Sequence, residues 1–256
     1  MLKISNFEVV GWEHAVRGMR NPKNSWHLSD SSFKAVTEID ILEDGVVKKQ
    51  PVYYDALNIG PNDHKLMMQL RNGGTDDRKF MRMIVVYLDI TAPFYWWKEY
   101  DTYKVGTVSN SCSTMHKLTA KEFEMDDFSH EHLISTIGES FESMDLMEKT
   151  VDLLNKYRDQ YTIATQKLKR TDLTDAERKH TVAQQKRFWW QMIQLLGMNY
   201  NQKRTLMLNY EVLANIYKSR RHHKLDEWHM LCDWIEELPY SELITGVEHE
   251  VDDVSM

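Results

Sequence analysis

Hydrophobic residues recur along this chain with two different periods, and each period predicts its own kind of element. In the first half, alternating or short apolar runs predict strands at 2–12 and 80–91, and a hairpin that pairs 36–42 with 46–54. In the second half, helical spacing predicts four antiparallel helices joined by short loops, over 143–168, 175–196, 201–222 and 225–238. The chain should therefore combine a sheet with a group of helices.

Capping and stop signals mark several helix ends. A helix at 64–72 should begin after Pro61 and end at Gly73, and a short helix is expected at 13–20. Two capping boxes, 119–122 and 174–177, each predict the start of a helix, because a Thr and a Glu three residues apart can satisfy each other's backbone donors.

The stretch 92–117 is the most unusual part of the sequence. Its first half is rich in aromatic residues and predicts a short amphipathic helix after Pro93. Its second half is a polar run: Thr107, Ser109, Asn110, Ser111, Cys112, Ser113 and Thr114. Such groups are costly to bury without hydrogen-bond partners, so either a small polar ligand pairs with them or the run is a loop that bonds to its own backbone.

Charge and composition narrow the classes of function. The net charge of −7 over 256 residues disfavours nucleic acid as the main partner. Two cysteines, no signal peptide and no membrane-length apolar run predict a cytoplasmic protein with no disulfide framework. We expect one domain at 1–247, followed by a charged and disordered tail at 248–256.

Common nucleotide and metal motifs do not occur: GxGxxG, GxxxxGK[ST], CxxC and HExxH are all missing, and no metal site is predicted. Arg17 and Arg20 could reach a phosphate, although solvated surface arginines are commoner. A basic cluster from Lys218 to His223 is explained most simply as complementing a helix dipole.

One predicted helix carries polar residues at both ends of an apolar face. Asn209, Val212, Leu213, Ile216 and Arg220 stand at i, i+3, i+4, i+7 and i+11. The two polar residues need partners there, and the arginine could hold a phosphate bidentately or pair with a carboxylate of a neighbouring helix.

These residues and the order of elements resemble the flavin-dependent thymidylate synthase (ThyX) family. The family places an "HG" segment before a strand, then R-Q-W, R-H-R and a Ser/Asn/Glu-rich run. Corresponding places here hold Asn72-Gly73, Lys98-Glu99-Tyr100, Thr102-Tyr103-Lys104, and the run from Thr107 to Cys112. Its later N-x-R and N-x-x-x-x-R pattern is similar to Asn209, Glu211, Asn215 and Arg220 after Leu196-Gly197.

The resemblance implies an α/β (α+β) fold, with a central, mostly antiparallel sheet and a helical bundle. It also implies a homotetramer that uses FAD, with NADPH and methylenetetrahydrofolate as co-substrates, to methylate dUMP at C5. The substrate would be bound by Arg220, Lys104, Ser109, Asn110 and Gln194. The cofactor would be bound by Asn209, Asn215, Lys98, Glu99 and Thr107. Ser111 and Cys112 would line the nucleotide, and the family reaction requires no covalent nucleophile from the enzyme. That Cys112 and Ser111 are catalytic is a separate prediction, which depends on the chemistry of the thiol.

The departures from the family pattern leave three functions open. Lysines replace the motif arginines, and Tyr103 replaces the central histidine. The protein is then a divergent thymidylate synthase, or a methylase or hydroxymethylase acting at C5 of another pyrimidine nucleotide, or a non-catalytic nucleotide-binding or scaffold protein. Cys112 suits the second function, because a thiolate activated by Lys104 or His116 could add to C6 of the ring; an inert cysteine is the alternative.

Overall fold

The computed structural model describes residues 2–34, 37–43, 46–52, 56–113, 118–138 and 140–246. For the residues of these ranges that lie within 34–57, it describes the backbone but not the side chains. The strands are β1 (Lys3–Val10), β2 (Ser32–Lys34), β3 (Thr37–Glu43), β4 (Val46–Val52), β5 (Ala56–Asn58), β6 (Val85–Pro93), β7 (Val108–Ser111) and β8 (Asn201–Asn209). The helices are α1 (Trp12–Arg20), α2 (Pro61–Asn72), α3 (Phe94–Tyr100), α4 (Ser143–Leu168), α5 (Asp175–Leu195), α6 (Tyr210–Arg220), α7 (Asp226–Glu236) and α8 (Glu242–Thr245).

The main sheet has four antiparallel strands in the order β1-β6-β8-β7. Strand β6 lies inside it, and its Val86, Leu88 and Ile90 are buried, as the apolar run predicts. Strand β7 is at the edge.

The predicted hairpin is confirmed as β3 and β4, whose register runs from Thr37 opposite Val52 to Glu43 opposite Val46. Strand β2 pairs with β5 in a further two-stranded sheet. The α/β fold class is thus confirmed.

The chain packs as two compact units. The first unit comprises Met1–Ile4, Ile90–Thr102 and Asn110–Thr205, and the second comprises Ser5–Asp89, Tyr103–Ser109 and Leu206–Met256. The predicted tail at 248–256 lies outside the described residues, and the single domain at 1–247 stays a prediction.

The first unit is organised by α4 and α5, which pack against each other. Helix α4 has the predicted bounds, and it buries Met147, Val151 and Leu154 along one face against Met192 of α5. The predicted capping box at the start of α5 is also confirmed: Thr174 accepts from the Glu177 backbone, and the Glu177 carboxylate accepts from the Thr174 backbone.

In the second unit a buried ion pair joins the end of α1 to the start of α2. Arg20 Nε donates to Asp63 Oδ1 at 2.5 Å, and both side chains are inaccessible to solvent. The other Asp63 oxygen accepts from the hydroxyls of Ser29 and Ser31, each at 2.6 Å. The expectation that Arg20 could reach a phosphate is therefore wrong, since its guanidinium is committed to a buried carboxylate; Arg17 contacts His14 on the surface.

Three element predictions are wrong in part. Residues 201–209 form β8, so the predicted helix at 201–222 begins only at Tyr210. Residues 80–83 lie in a 3-10 helix, Asp77–Met83, that precedes β6. The capping box predicted at 119–122 opens no helix, because the described residues there form turns and a 3-10 helix at Met125–Asp127 instead.

Within the described ranges, no helix combines the length and the apolar character that a membrane span requires.

Candidate functional site

The face of α6 that the sequence singles out exists in the second unit. Asn209 is the N-cap of the helix, where its side-chain oxygen accepts from the Val212 backbone at 3.1 Å. The apolar middle of the face, Val212, Leu213 and Ile216, is buried. Arg220 stands half-buried in the last turn. Both polar ends of the face are therefore fixed in place by the fold of this helix.

An aromatic frame positions the Arg220 guanidinium. Its Nε donates to the Tyr103 hydroxyl at 3.0 Å, and its central carbon lies 4.7 Å from the Trp228 ring centroid and 5.6 Å from that of Tyr103. The two rings meet edge to face. Such contacts orient a guanidinium. Tyr103, which replaces the motif histidine, thus has a specific role in this unit: it holds Arg220.

The segment before β7 lies close to the start of α6. Gly106 has φ +76°, and a Cβ there would stand 3.0 Å from Asn209 Nδ2 and 3.1 Å from a Val212 methyl carbon. Only glycine suits both the conformation and the space. Thr107 donates its hydroxyl to the Tyr103 carbonyl, while Lys104 is exposed. This loop therefore approaches Asn209 at Gly106 and contacts Arg220 at Tyr103, at the two opposite ends of α6.

Two further residues of α6 have other partners. Glu211, which stands at the motif's first arginine, forms a two-pronged ion pair with Arg82. An acidic side chain at this position cannot bind a phosphate as an arginine would. Asn215 is exposed and lines a different cavity, together with Lys218 and Arg221.

Residues 108–111 of the polar run form a strand with exposed side chains, and Thr114 lies outside the described residues. All four residues of β7 are exposed, including Ser109, Asn110 and Ser111. The cost of burying them, on which the ligand argument rested, therefore does not arise. The hydrogen bond from Thr107 to its own backbone supports the alternative interpretation for that residue. A role for Ser109, Asn110 and Ser111 in binding or catalysis stays a prediction.

Cys112 lines a cavity of about 340 Å³ in the first unit. Its backbone is anchored, because its N–H donates to the Lys203 carbonyl at 2.9 Å and its carbonyl accepts from Gln202 at 3.0 Å, and its thiol is exposed. Burial, together with the charges of Asp127 and Cys112, raises the pKa of Tyr200 to about 12. The Tyr200 hydroxyl at the cavity wall is therefore protonated at neutral pH.

The cations beside Cys112 are not those expected. Lys121 and Lys203 line the cavity, and Lys121 pairs with Asp127 at 2.7 Å. Of the two expected activators, Lys104 belongs to the second unit and His116 lies outside the described residues. Sequence reasoning missed Lys203, because residues 201–209 were predicted to be part of a helix and not strand β8.

The other predicted residues of the first unit lie on helices. Lys98 is exposed in α3, and the carbonyl of Glu99 accepts from the Thr102 hydroxyl at 2.7 Å. Gln194 is exposed in the last turn of α5. Lys98 and Gln194 are therefore accessible to a ligand, whereas Glu99 is half-buried, and the assigned roles of all three stay predictions.

Sequence reasoning missed Arg204, which lies on β8 beneath α3. Its guanidinium stands 4.2 Å from the Trp97 ring centroid and pairs with Asp101 at 2.7 Å. Trp97 in turn donates to the Gln202 carbonyl at 2.9 Å. Among the described residues, no three His, Cys, Asp or Glu side chains gather in a way that could hold a metal ion.

The element order and the antiparallel sheet together define a ThyX-like α/β fold. The structure of thymidylate synthase X (ThyX) from Helicobacter pylori with FAD and dUMP matches with a TM-score of 0.56 and 13% identity, over 96% of this chain and 98% of that chain. A second structure of the flavin-dependent enzyme from the same organism, complexed with FAD and dUMP, matches over the same shares with a TM-score of 0.55 and 14% identity. No protein-family model matches the sequence, and neither does any curated protein.

Proposed function

We propose that this protein is a flavin-dependent enzyme of the thymidylate synthase type, acting at C5 of a pyrimidine deoxynucleotide, with dUMP as the first candidate substrate. The observation that carries the proposal is the match of nearly the whole chain to ThyX structures that hold FAD and dUMP. A fold alone does not establish a reaction, so the proposal also depends on the residues of α6 and the loop before β7.

The residue types near α6 fit a flavin nucleotide. The amides of Asn209 and Asn215 and the hydroxyl of Thr107 are suited to the carbonyl and N–H groups of a flavin ring. The close approach of Gly106 to Asn209 leaves no side chain between this loop and the helix start. In the proposed function these three residues of the second unit would contribute to binding FAD, which would supply the hydride that reduces the transferred carbon. The roles of Lys98 and Glu99 stay predictions.

Arg220 is the proposed phosphate ligand of the nucleotide. Tyr103 and Trp228 hold its guanidinium in one orientation, so little side-chain entropy remains to be lost when a phosphate binds. Lys104 and Ser109, in the same unit as Arg220, would contribute to the substrate site, and the roles of Asn110 and Gln194 stay predictions. In the overall reaction C5 loses a proton and gains a methyl group, methylenetetrahydrofolate provides the carbon, and NADPH provides two electrons. The products are dTMP, tetrahydrofolate and NADP⁺.

Binding of FAD and activity on dUMP test this proposal together. We expect the purified protein to take up added FAD and show the absorption bands of bound flavin. We also expect it to release tritium from dUMP labelled at C5, only when both methylenetetrahydrofolate and NADPH are present. Protein that takes up no FAD from excess would contradict the proposal and favour a non-catalytic nucleotide-binding or scaffold protein. A homotetramer and a cytoplasmic location stay predictions.

A second candidate function follows from Cys112, whose exposed thiol lines a cavity. A thiolate that adds to C6 of a pyrimidine ring forms a carbon–sulfur bond and makes C5 nucleophilic. The bond breaks again when the C5 proton leaves. This chemistry suits a methylase or hydroxymethylase acting on a nucleotide other than dUMP. Cys232, by contrast, is buried, and burial raises its pKa to about 11.

Substitution of Cys112 separates the two candidates. If Cys112 and Ser111 are catalytic, Cys112→Ser should lower turnover at least a thousandfold, because a serine hydroxyl is a far weaker nucleophile at neutral pH. Ser113→Ala, in the same cavity, is the matched control and should retain most activity. Unchanged turnover in Cys112→Ser would eliminate the thiol as nucleophile and leave the flavin reaction as the working model.

A further inference from the structure

Three cations form a basic surface in the second unit. Arg71 of α2 and Arg78 of the 3-10 helix that follows it line one cavity together with Lys218 of α6. Arg78 Nε donates to the Arg71 carbonyl at 2.7 Å, which holds these two residues near each other. We call these three residues the basic surface.

The charges of the basic surface have no counterions among the described residues. Within that part of the chain, no carboxylate oxygen lies within 4.0 Å of a side-chain nitrogen of Arg71, Arg78 or Lys218. Arg221, which lines the same cavity, differs because it pairs with two carboxylates of α7. Exposed cations usually find water or a mobile acidic group as partner, so the basic surface can accept carboxylates from elsewhere.

The last described residues lie directly against the basic surface. Arg71 Nε and Nη2 donate to the carbonyls of Leu243 and Ile244 at 3.2 and 3.1 Å. Gly246 packs on the same guanidinium, since a Cβ added there would stand 2.4 Å from Nη2. The sequence that follows Gly246, residues 247–256, therefore starts beside Arg71.

That following sequence is strongly acidic and long enough to reach all three cations. Glu248, Glu250, Asp252 and Asp253 carry four carboxylates, and residues 247–256 contain no lysine or arginine. At about 3.3–3.6 Å per extended residue, the first carboxylate stands within about 7 Å of Gly246 along the chain and the last within about 25 Å. A helix with its side chains is only about 10–12 Å wide, so the acidic residues can span from α2 to α6.

We propose that the acidic segment 248–253 binds the basic surface of its own chain and covers it. One exposed ion pair contributes little, but four carboxylates tethered beside three cations act together at a high effective concentration. In this position the segment competes with any other anion that approaches the surface, which makes it an autoinhibitory contact. Complementing the dipole of α6 explains Lys218 alone and leaves Arg71 and Arg78 without counterions.

Crosslinking of the full chain with a carbodiimide, followed by peptide mass spectrometry, tests this proposal. The reagent joins a carboxylate to a lysine amine only where the two groups meet, so an amide between Lys218 and the acidic segment reports their contact. We expect the yield at Lys218 to be at least about fivefold that at Lys65, which is exposed on α2. Salt at about 1 M, where charges are screened beyond about 3 Å, should remove most of this difference.

A pair of variants shows whether the basic surface attracts the segment. Arg78→Gln should lower the Lys218 yield roughly threefold, because one of the three attracting charges is lost. Lys79→Gln removes the same charge from the neighbouring exposed position, outside the basic surface, and should leave the yield unchanged. Thermal unfolding of both variants shows whether the fold is intact.

Three results would overturn the proposal. The first is equal crosslinking at Lys218 and Lys65, which would indicate a solvated tail. The second is the same Lys218 yield in Arg78→Gln and Lys79→Gln. The third appears when isotope-labelled and unlabelled chains are mixed: crosslinks mainly between the two kinds of chain would place the segment of a second copy on the surface. The test uses neither flavin nor nucleotide, so its outcome does not depend on the proposed function.

Discussion

Replacement of Arg220 by glutamine is expected to weaken dUMP binding by roughly 10- to 100-fold. The variant loses the charge and the planar fork that would hold the phosphate, and a hydrogen bond to a charged group contributes about 1.5–3 kcal/mol. Arg220→Lys should recover only part of the loss, because an ammonium group cannot make paired contacts or stack on Trp228 in the same way. Calorimetric titration of FAD-loaded protein with dUMP measures both effects.

The matched control for Arg220 is Arg17→Gln. Arg17 is exposed on α1, so the substitution removes the same charge without touching the aromatic frame. Thermal unfolding of each variant shows whether the fold is intact. If Arg220→Gln folds normally and binds dUMP as tightly as the original chain, or if Arg17→Gln weakens binding equally, Arg220 is not the phosphate ligand.

Asp63→Asn should lower the free energy of unfolding by about 3 kcal/mol or more, the usual cost of removing one member of a buried ion pair. Asp63 is fully buried and accepts from Arg20, Ser29 and Ser31. The amide would leave the buried Arg20 charge without its counterion and would present a donor to groups that are themselves donors. Urea denaturation at neutral pH measures the change.

Asp30→Asn is the control for the buried pair. The two carboxylate oxygens of Asp30 accept from the backbone of Asn62 and Asp63 at the start of α2, and an asparagine oxygen can still accept from one of them. We expect a loss of less than about 1 kcal/mol. Equal losses in the two variants would show that the charge of Asp63 is not what stabilises this part of the second unit.

The pH dependence of stability gives an independent check. Burial alone would raise the pKa of Asp63, but hydrogen bonds from Ser29, Ser31 and Arg20 and the charge of Arg20 together lower it below its usual value. The unfolded chain then binds this proton more readily than the folded chain does. The stabilisation by Asp63 is therefore complete above the ordinary carboxyl pKa of about 4 and falls as the pH drops below it.

The difference in the free energy of unfolding between the original chain and Asp63→Asn should be constant above about pH 5 and shrink at lower pH. A constant difference down to pH 2 would contradict this explanation.

Helices with long and regular apolar patterns were predictable from the sequence. Helix α4 has the predicted bounds, and the Thr174 capping box marks the start of α5, because local hydrogen bonds and one buried face determine such elements. Strand β8 was not predicted. Its Leu206 and Leu208 alternate with more exposed residues, but the run continues directly into α6, so the strand was taken for a further turn of helix.

The sequence by itself determined helices α4 and α5, the β3–β4 pairing and the polar ends of the α6 face. Each of these depends on residues that are close together in the chain. Only the tertiary structure decided the partners of charged residues: Tyr103 and Trp228 for Arg220, Asp63 for Arg20, and Arg71 and Arg78 beside Lys218. Apart from Trp228, which is eight positions from Arg220, these partners are tens to more than a hundred positions apart. Local periodicity contains no information on such pairs, because the packing of distant elements brings them together.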